Sequence, residues 1–429
     1  MKTRLTAWLK IEEGEVVPLT WSCFYLFCLL CGYYILRPVR DEMAIEGGVQ
    51  HLPWMMTATF LVLLAVTPVF GWLSARFSRR QFLPAVYLFF GANLLMFYVF
   101  MRSHVHPEWV ARAFFVWLSV FNLFVVSVFW SFMVDLFSPE QGKRLFGMIA
   151  AGGSAGALLG PSVTALSTYF FPIANLMALS AVMLLVCVFC IRRLDAWSKE
   201  RAPVRRETGD EPIGGHFLTG IRLAFSSPYL AGIAGYILFL TMTATFLYLE
   251  QAGVVGQAVP SPLERTRLYA GVDLAVSSLT FLTQIFVTAR MPLSGALAVL
   301  PAASLAGFFL LGIYQAVPLF VALIIIRRVS EYALAKPARE VLFTVVSREG
   351  KYKAKNFIDT AISRGGDAAT GWLVAGIKGL GATATMMAWI MVPLAVAWVG
   401  LGVFLARAHG RCVDERPHSR LSSSVTDLR

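Results

Sequence analysis

The chain has 429 residues, of which 57% are hydrophobic and only 14% charged, with 33 Phe and 11 Trp. That balance excludes a single water-soluble globule and places the chain among polytopic membrane proteins. The formal charge of +12 does not mark a nucleic-acid binder, because Lys and Arg collect in short connections between apolar runs, where they act as topology signals.

Residues 1–18 carry Lys10, Glu12, Glu13 and Glu15 and no small-residue cleavage site, so they read as a cytosolic lead into an uncleaved first span. Crossing about 30 Å of hydrocarbon takes roughly 20 apolar residues per helix. Twelve runs meet that need: 18–37, 54–75, 82–101, 110–136, 145–168, 171–191, 228–250, 267–288, 292–313, 317–346, 356–377 and 382–406. The polar stretch Arg192 to His216 divides them six and six. The expected organisation is therefore all-α: a six-helix bundle over 1–192, a cytoplasmic linker over 193–219, a second six-helix bundle over 220–406 and a cytoplasmic tail over 407–429. Basic residues such as Arg76, Arg79, Arg80, Lys143, Arg144, Arg192, Arg193, Arg290, Lys351 and Lys353 fall on one side, which predicts cytoplasmic termini.

Several spans carry more than apolar residues. The first ends Tyr34-Ile35-Leu36-Arg37-Pro38-Val39-Arg40-Asp41-Glu42; if the helix passes through Pro38, Arg37, Arg40 and Asp41 share a face. Interfacial snorkelling with a local ion pair and an anion-binding wall are both open accounts of that face. Asp135 lies near the cytoplasmic end of span 4. Span 5 contains Gly152-x-x-x-Gly156-x-x-x-Gly160, a close-packing stripe rather than a phosphate loop, since no Gly-Lys-Ser/Thr ending follows. Glu250 ends span 7, and Asp273 sits within span 8, a lone carboxylate suited either to gating or to a helix-to-helix salt bridge.

The densest cluster is Arg327-Arg328-x-x-Glu331-x-x-x-x-Lys336-Pro337-x-Arg339-Glu340 in span 10. From Arg328 to Arg339 a helix rises about 16 Å, so these charges cannot all escape to one interface. Glu331 is placed to neutralise Arg327 or Arg328, and Glu340 to pair with Lys336 across one turn. Pro337 removes a backbone hydrogen bond and predicts a kink. In span 11, Asp359, Arg364 and Asp367 add polar groups, whereas Lys378 and Arg290 look like terminal charges. Cys23, Cys28, Cys31, Cys187, Cys190 and Cys412 read as packing residues, and the six histidines form no ligand-spaced set, so neither a metal nor a cofactor is expected.

The two halves share a faint repeat: Phe137-Ser138-Pro139-Glu140-Gln141-Gly142-Lys143-Arg144 follows span 4, and Val346-Ser347-Arg348-Glu349-Gly350-Lys351-Tyr352-Lys353 follows span 10. Duplicated bundles of this kind resemble the major facilitator transporters. Three blocks are more specific: the end of span 1 from Tyr34 to Glu42, the run from Phe129 to Phe146, and the run from Tyr332 through Lys336-Pro337-Ala338-Arg339-Glu340 to Asp359 and Arg364-Gly365-Gly366. Together they resemble the ATP/ADP antiporter family of bacterial and plastid nucleotide translocases. This chain is more compact, and it has Arg364-Gly365-Gly366-Asp367 where those carriers tend toward Gly-Lys-Ser. The resemblance implies twelve helices in two bundles, a bacterial inner membrane, alternating access and a small anionic substrate such as a nucleotide or other phosphorylated metabolite, handled by a monomer.

On this footing Arg37 and Arg40 from the first bundle, with Lys336 and Arg339 from the second, are the expected substrate-binding residues. Asp41, Asp135, Asp273, Glu331, Glu340, Asp359 and Arg364 are the expected gating or proton-coupling set, with Asp273 pairing when the site is empty. Anion exchange and proton-coupled transport both fit, with Asp273 or Glu331 as carrier in the second case. A non-transporting receptor or scaffold, with structural charge pairs, is the alternative of another class. No nucleophile-base-acid set points to an enzyme.

Overall fold

A computed structural model describes residues 12, 14–76, 79–103, 105–200, 227–346, 354–355 and 357–414. Among the described residues the chain is helical between short turns. In order the α-helices are α1 (Val16–Glu46), α2 (Leu52–Arg76), α3 (Arg79–Ser103), α4 (Pro107–Leu136), α5 (Pro139–Ser167), α6 (Asn175–Glu200), α7 (Pro228–Ala258), α8 (Pro262–Phe286), α9 (Leu293–Ile313), α10 (Val317–Ser330), α11 (Lys336–Leu342), α12 (Ser363–Gly379) and α13 (Ala384–Asp414). Ten of these are long and apolar enough to cross a membrane: α1 to α9 and α13.

The expected spans 10 and 11 are helical but interrupted, which keeps them out of that set of ten. Span 10 runs as α10, a π-helical turn over Glu331–Ala335, α11 and a 3-10 turn over Phe343–Val345; span 11 opens on a second π turn over Ile358–Ile362 before α12. A π turn accommodates an extra residue and commonly marks a functional position in a helix. Both π turns carry one of the expected charged residues, Glu331 in the first and Asp359 in the second. The π turn of span 10 therefore lies just before Pro337: the Lys336 N–H bonds the Glu331 carbonyl, and the helix continues without a gap into α11.

Two compact units emerge, 1–207 with 255–277, and 208–254 with 278–429. In the first, α1 is buried on several faces, from Leu19 and Tyr25 to Val39 and Met43, and packs against α4, α5 and α6. Against α5 the contact is backbone to backbone. A Cβ on Gly152 would lie 2.5 Å from the Cys23 carbonyl oxygen, on Gly156 2.4 Å from that of Phe27, and on Gly160 2.8 Å from that of Cys31. One turn on, Thr164 donates to the Ile35 carbonyl at 2.9 Å. The glycine stripe is the close-packing surface its spacing predicted.

The start of α5 is specified locally. Ser138 and Gln141 form a reciprocal capping box, Pro139 occupies the first turn, and Glu140 faces the positive end of the helix dipole. Gln141 and Arg144 then reach Glu15, beside the start of α1, at 2.8 and 2.9 Å. Burial disfavours the charged form of Glu15, but the Glu12 backbone N–H, Gln141 and Arg144 outweigh it and hold its carboxyl below the ordinary value of 4.5. Most of the matching segment after span 10, Ser347 to Lys353, lies outside the described residues, as does the linker beyond Glu200. Arg193 to Glu200 continue α6 as helix.

In the second unit, α9 packs on α13, with Tyr236 of α7 donating to the Leu297 carbonyl at 2.9 Å and its ring 5.4 Å from that of Trp398. Trp389 donates to the Gly312 carbonyl at 3.1 Å. These bonds satisfy polar edges of large aromatic groups away from water.

Candidate functional site

The helix does pass through Pro38, so the end of span 1 is one continuous helical surface. Arg37 Nε lies 3.8 Å from Asp273 Oδ2 of α8, and its guanidinium sits 5.6 Å from the centre of the Tyr34 ring. Asp273 is 1% exposed. Arg40 turns instead to its neighbour, donating to Asp41 Oδ1 from Nη2 at 2.6 Å and from Nε at 3.1 Å, with its guanidinium over Phe115.

Beyond them lies a pair that inspection of the sequence did not select. Arg265 of α8 donates to Glu42 Oε1 from Nη2 at 2.6 Å and Nε at 3.3 Å, and both residues are buried. Its Nη1 donates to the Val259 and Pro260 carbonyls at 3.2 and 3.0 Å, and Glu46 stands 3.7 Å away. Glu42 belongs to the charged block that ends span 1; only the fold brings Arg265 to it. Arg267, two residues on, donates to the Thr168 carbonyl at 2.7 Å and covers the Tyr169 ring at 3.9 Å.

Asp135 belongs elsewhere in this unit. Phe129 of α4 packs on Tyr25 of α1, while Arg112 of α4 bonds the Gly47 carbonyl just past the end of α1, so the two helices run antiparallel. Counting from that ring contact, Asp135 and Arg37 lie in opposite directions, on the order of 27 Å apart along the helices. Asp135 therefore does not join the Arg37 cluster.

The second unit holds its own set of pairs. Arg327 bonds Glu331 at 2.9 Å across one turn, which settles which of the two arginines Glu331 faces, while Arg328 lies over Tyr332. Arg339 of α11 stands 3.6 Å from Asp359 of the second π turn. Glu340 pairs with Lys355 rather than with Lys336, correcting the expected one-turn pair; Lys336 instead has an exposed side chain at the start of α11. Arg364 and Thr245 share Asp367, at 3.5 and 2.6 Å. Lys378, expected to be a terminal charge, forms an ion pair with the buried Glu250 of α7 at 2.6 Å.

The large cavity of the first unit is not at these charges. It measures about 1470 Å³ and is lined by apolar stripes of α2, α3 and α4, with His51 and Arg112 among few polar side chains. The chemistry of an ionic substrate points to the clusters rather than to this apolar space. Among the described residues no group of His, Cys, Asp and Glu is arranged to hold a metal ion.

A family model for the Major Facilitator Superfamily matches residues 22–335. The chain belongs to the Major Facilitator Superfamily. Solved structures share its fold at low identity. A bacterial homologue of the iron transporter ferroportin, in an inward-facing state, is 12% identical with TM-score 0.63 over 92% of this chain and 99% of that one. An auto-inhibited peptide transporter of the POT family is 13% identical with TM-score 0.60 over 92% and 96%. The nucleoside transporter NupG, solved as a point mutant, is 13% identical with TM-score 0.55 over 92% and 99%. No curated protein matches the chain. The superfamily membership makes this a multi-pass membrane protein of a transporter family, with the interrupted tenth and eleventh spans as parts of its helical set.

Proposed function

We propose that this chain is an alternating-access secondary transporter of an organic anion, of the nucleotide or phosphorylated-metabolite class, working by exchange. The observation that carries the reading is the pairing of Arg37 with Asp273 at 3.8 Å in a site that is almost wholly buried. A guanidinium facing a carboxylate inside an apolar span is suited to take a substrate oxygen in its place through charge-assisted hydrogen bonds. Arg40, held by Asp41, is the second candidate anion ligand of the first unit; within the second unit the candidates are Lys336 and Arg339, the latter beside Asp359.

Exchange follows from electrostatics. An arginine that has lost its carboxylate and found no anion is an uncompensated charge in a low-dielectric site, so the return step is favoured with an anion bound. The resemblance of the span 1 and span 10 blocks to nucleotide translocases supports the phosphorylated class of substrate, and the pairing of Arg37, Arg40 and Arg339 with carboxylates supports anion binding in general.

The test is flux into reconstituted vesicles with nucleotides, phosphorylated metabolites and dicarboxylates, with and without internal counter-substrate. Uptake that requires an internal anion is expected. Folded protein that moves none of the panel would overturn the anion reading, and equal uptake into empty vesicles would remove exchange.

A further inference from the structure

Glu42 is a carboxylate of the first unit whose surroundings call for something beyond an ion pair. It is 0% exposed, and both hydrogen bonds from Arg265 fall on Oε1. Oε2 is buried and has no hydrogen-bond partner. A fully dehydrated carboxylate with an orphaned oxygen is costly, and a proton on that oxygen removes the cost without moving a heavy atom.

The other charges around it favour the same event. Along α1 and the facing part of α8 stand three guanidiniums, Arg37, Arg40 and Arg265, against four carboxylates, Asp41, Glu42, Glu46 and Asp273. Tyr269 of α8 is buried beside Asp41 and Glu42. From α4, Arg112 approaches the end of α1 but is committed to the Gly47 carbonyl at 2.7 Å and to Glu108 at 3.0 Å. Arg267 of α8 is likewise committed elsewhere, to the Thr168 carbonyl and the Tyr169 ring. At Glu42 itself the one bonded guanidinium is that of Arg265, which a second carboxylate, Glu46, also approaches. Glu46 is half-buried and partly hydrated, whereas Asp41 and Asp273 each face an arginine of α1. Glu42 is the place where a proton relieves most.

Arg265 would stay in position when this happened. The Val259 and Pro260 carbonyls hold Nη1, and Glu46 remains within 3.7 Å of Nη2. We propose that Glu42 is a proton-binding carboxyl that couples proton movement to anion transport through this arginine-rich cluster. The proton adds to Oε2, the Arg265 bonds persist on Oε1, and the Glu42 carboxyl becomes neutral. Substrate anion and proton then bring opposite charges into one dehydrated site, so each promotes binding of the other. This inference rests on the carrier reading but not on exchange: a proton neutralises Glu42 where no counter-anion is available.

The experiment is infrared difference spectroscopy of the full chain in proteoliposomes as pH is lowered, with no substrate present, comparing wild type with Glu42→Gln, Glu42→Asp and Glu46→Gln. A protonated-carboxyl C=O band that grows with falling pH in wild type and Glu46→Gln, disappears in Glu42→Gln and shifts in Glu42→Asp is the expected result. The same titrating band in Glu42→Gln, or no such band in wild type, overturns the proposal. Glu42→Asp keeps the test decisive if Glu42→Gln does not fold, because an unshifted band in the aspartate variant also refutes it. Since no substrate is used, failure here is distinct from failure of the vesicle panel. For an anion that the panel identifies, an inward proton gradient should raise accumulation in wild type and not in Glu42→Gln; gradient-driven accumulation that survives in Glu42→Gln refutes the coupling role.

Discussion

Arg37 of α1 and Asp273 of α8 face each other at 3.8 Å, with Asp273 almost entirely buried. Removing the carboxylate by Asp273→Asn takes that compensation from Arg37, a change that costs about 3 kcal/mol for a buried pair. A lowered thermal midpoint in detergent is expected. The double variant Arg37→Gln/Asp273→Asn should recover much of the loss, because neither charge of the pair remains. Additive losses in that cycle would show that the two residues do not act on one another.

The α1–α5 contact depends on the absence of side chains. With a Cβ on Gly156 placed 2.4 Å from the Phe27 carbonyl oxygen, Gly156→Ala must push two helix backbones apart and should cost about 1–3 kcal/mol. Gly147, on the same helix, has nothing within 4 Å of its would-be Cβ, so Gly147→Ala should stabilise by up to about 1 kcal/mol through helix propensity alone. Opposite shifts of the two unfolding midpoints check the packing directly.

Glu15 gives a pH dependence outside the membrane spans. Its folded-state carboxyl is held below the ordinary 4.5, so its contribution is fully present above 4.5 and is lost as pH falls through the lower folded value. Unfolding of wild type and Glu15→Gln, compared from about pH 7 down to about pH 3, should show a constant gap that closes only below 4.5. A gap that instead widens on acidification would contradict the assigned bonds to Glu12, Gln141 and Arg144.

Arg339→Gln removes a guanidinium assigned to the substrate and frees Asp359 of the second π turn. Loss of one charge-assisted hydrogen bond, about 1.5–3 kcal/mol, corresponds to roughly 10- to 100-fold weaker anion binding. The half-saturating substrate concentration in vesicles should rise accordingly, with the protein still inserted and folded. An unchanged half-saturating concentration would remove Arg339 from the binding set.

The sequence by itself determined the number and order of the helical spans and the role of the glycine stripe of α5, because run length and four-residue spacing are local properties. The local pairing of Arg327 with Glu331 was legible for the same reason. What only the tertiary structure decided is which charge meets which over long separations. Glu42 and Arg265 are 223 positions apart, and nothing in the residues around either one names the other. Lys378 looked like a helix-end charge until α7 brought Glu250 to it, and Glu340 looked paired with Lys336 until Lys355 proved to be the nearer cation. In the sequence the π turn of span 10 shows only as a charged segment with a proline and that of span 11 only as added polar groups, since the cost of an inserted residue is offset by contacts between helices that no single span contains. Hydrophobic length is decided within each helix, but the low dielectric between helices makes the partner of each buried charge a property of the whole fold.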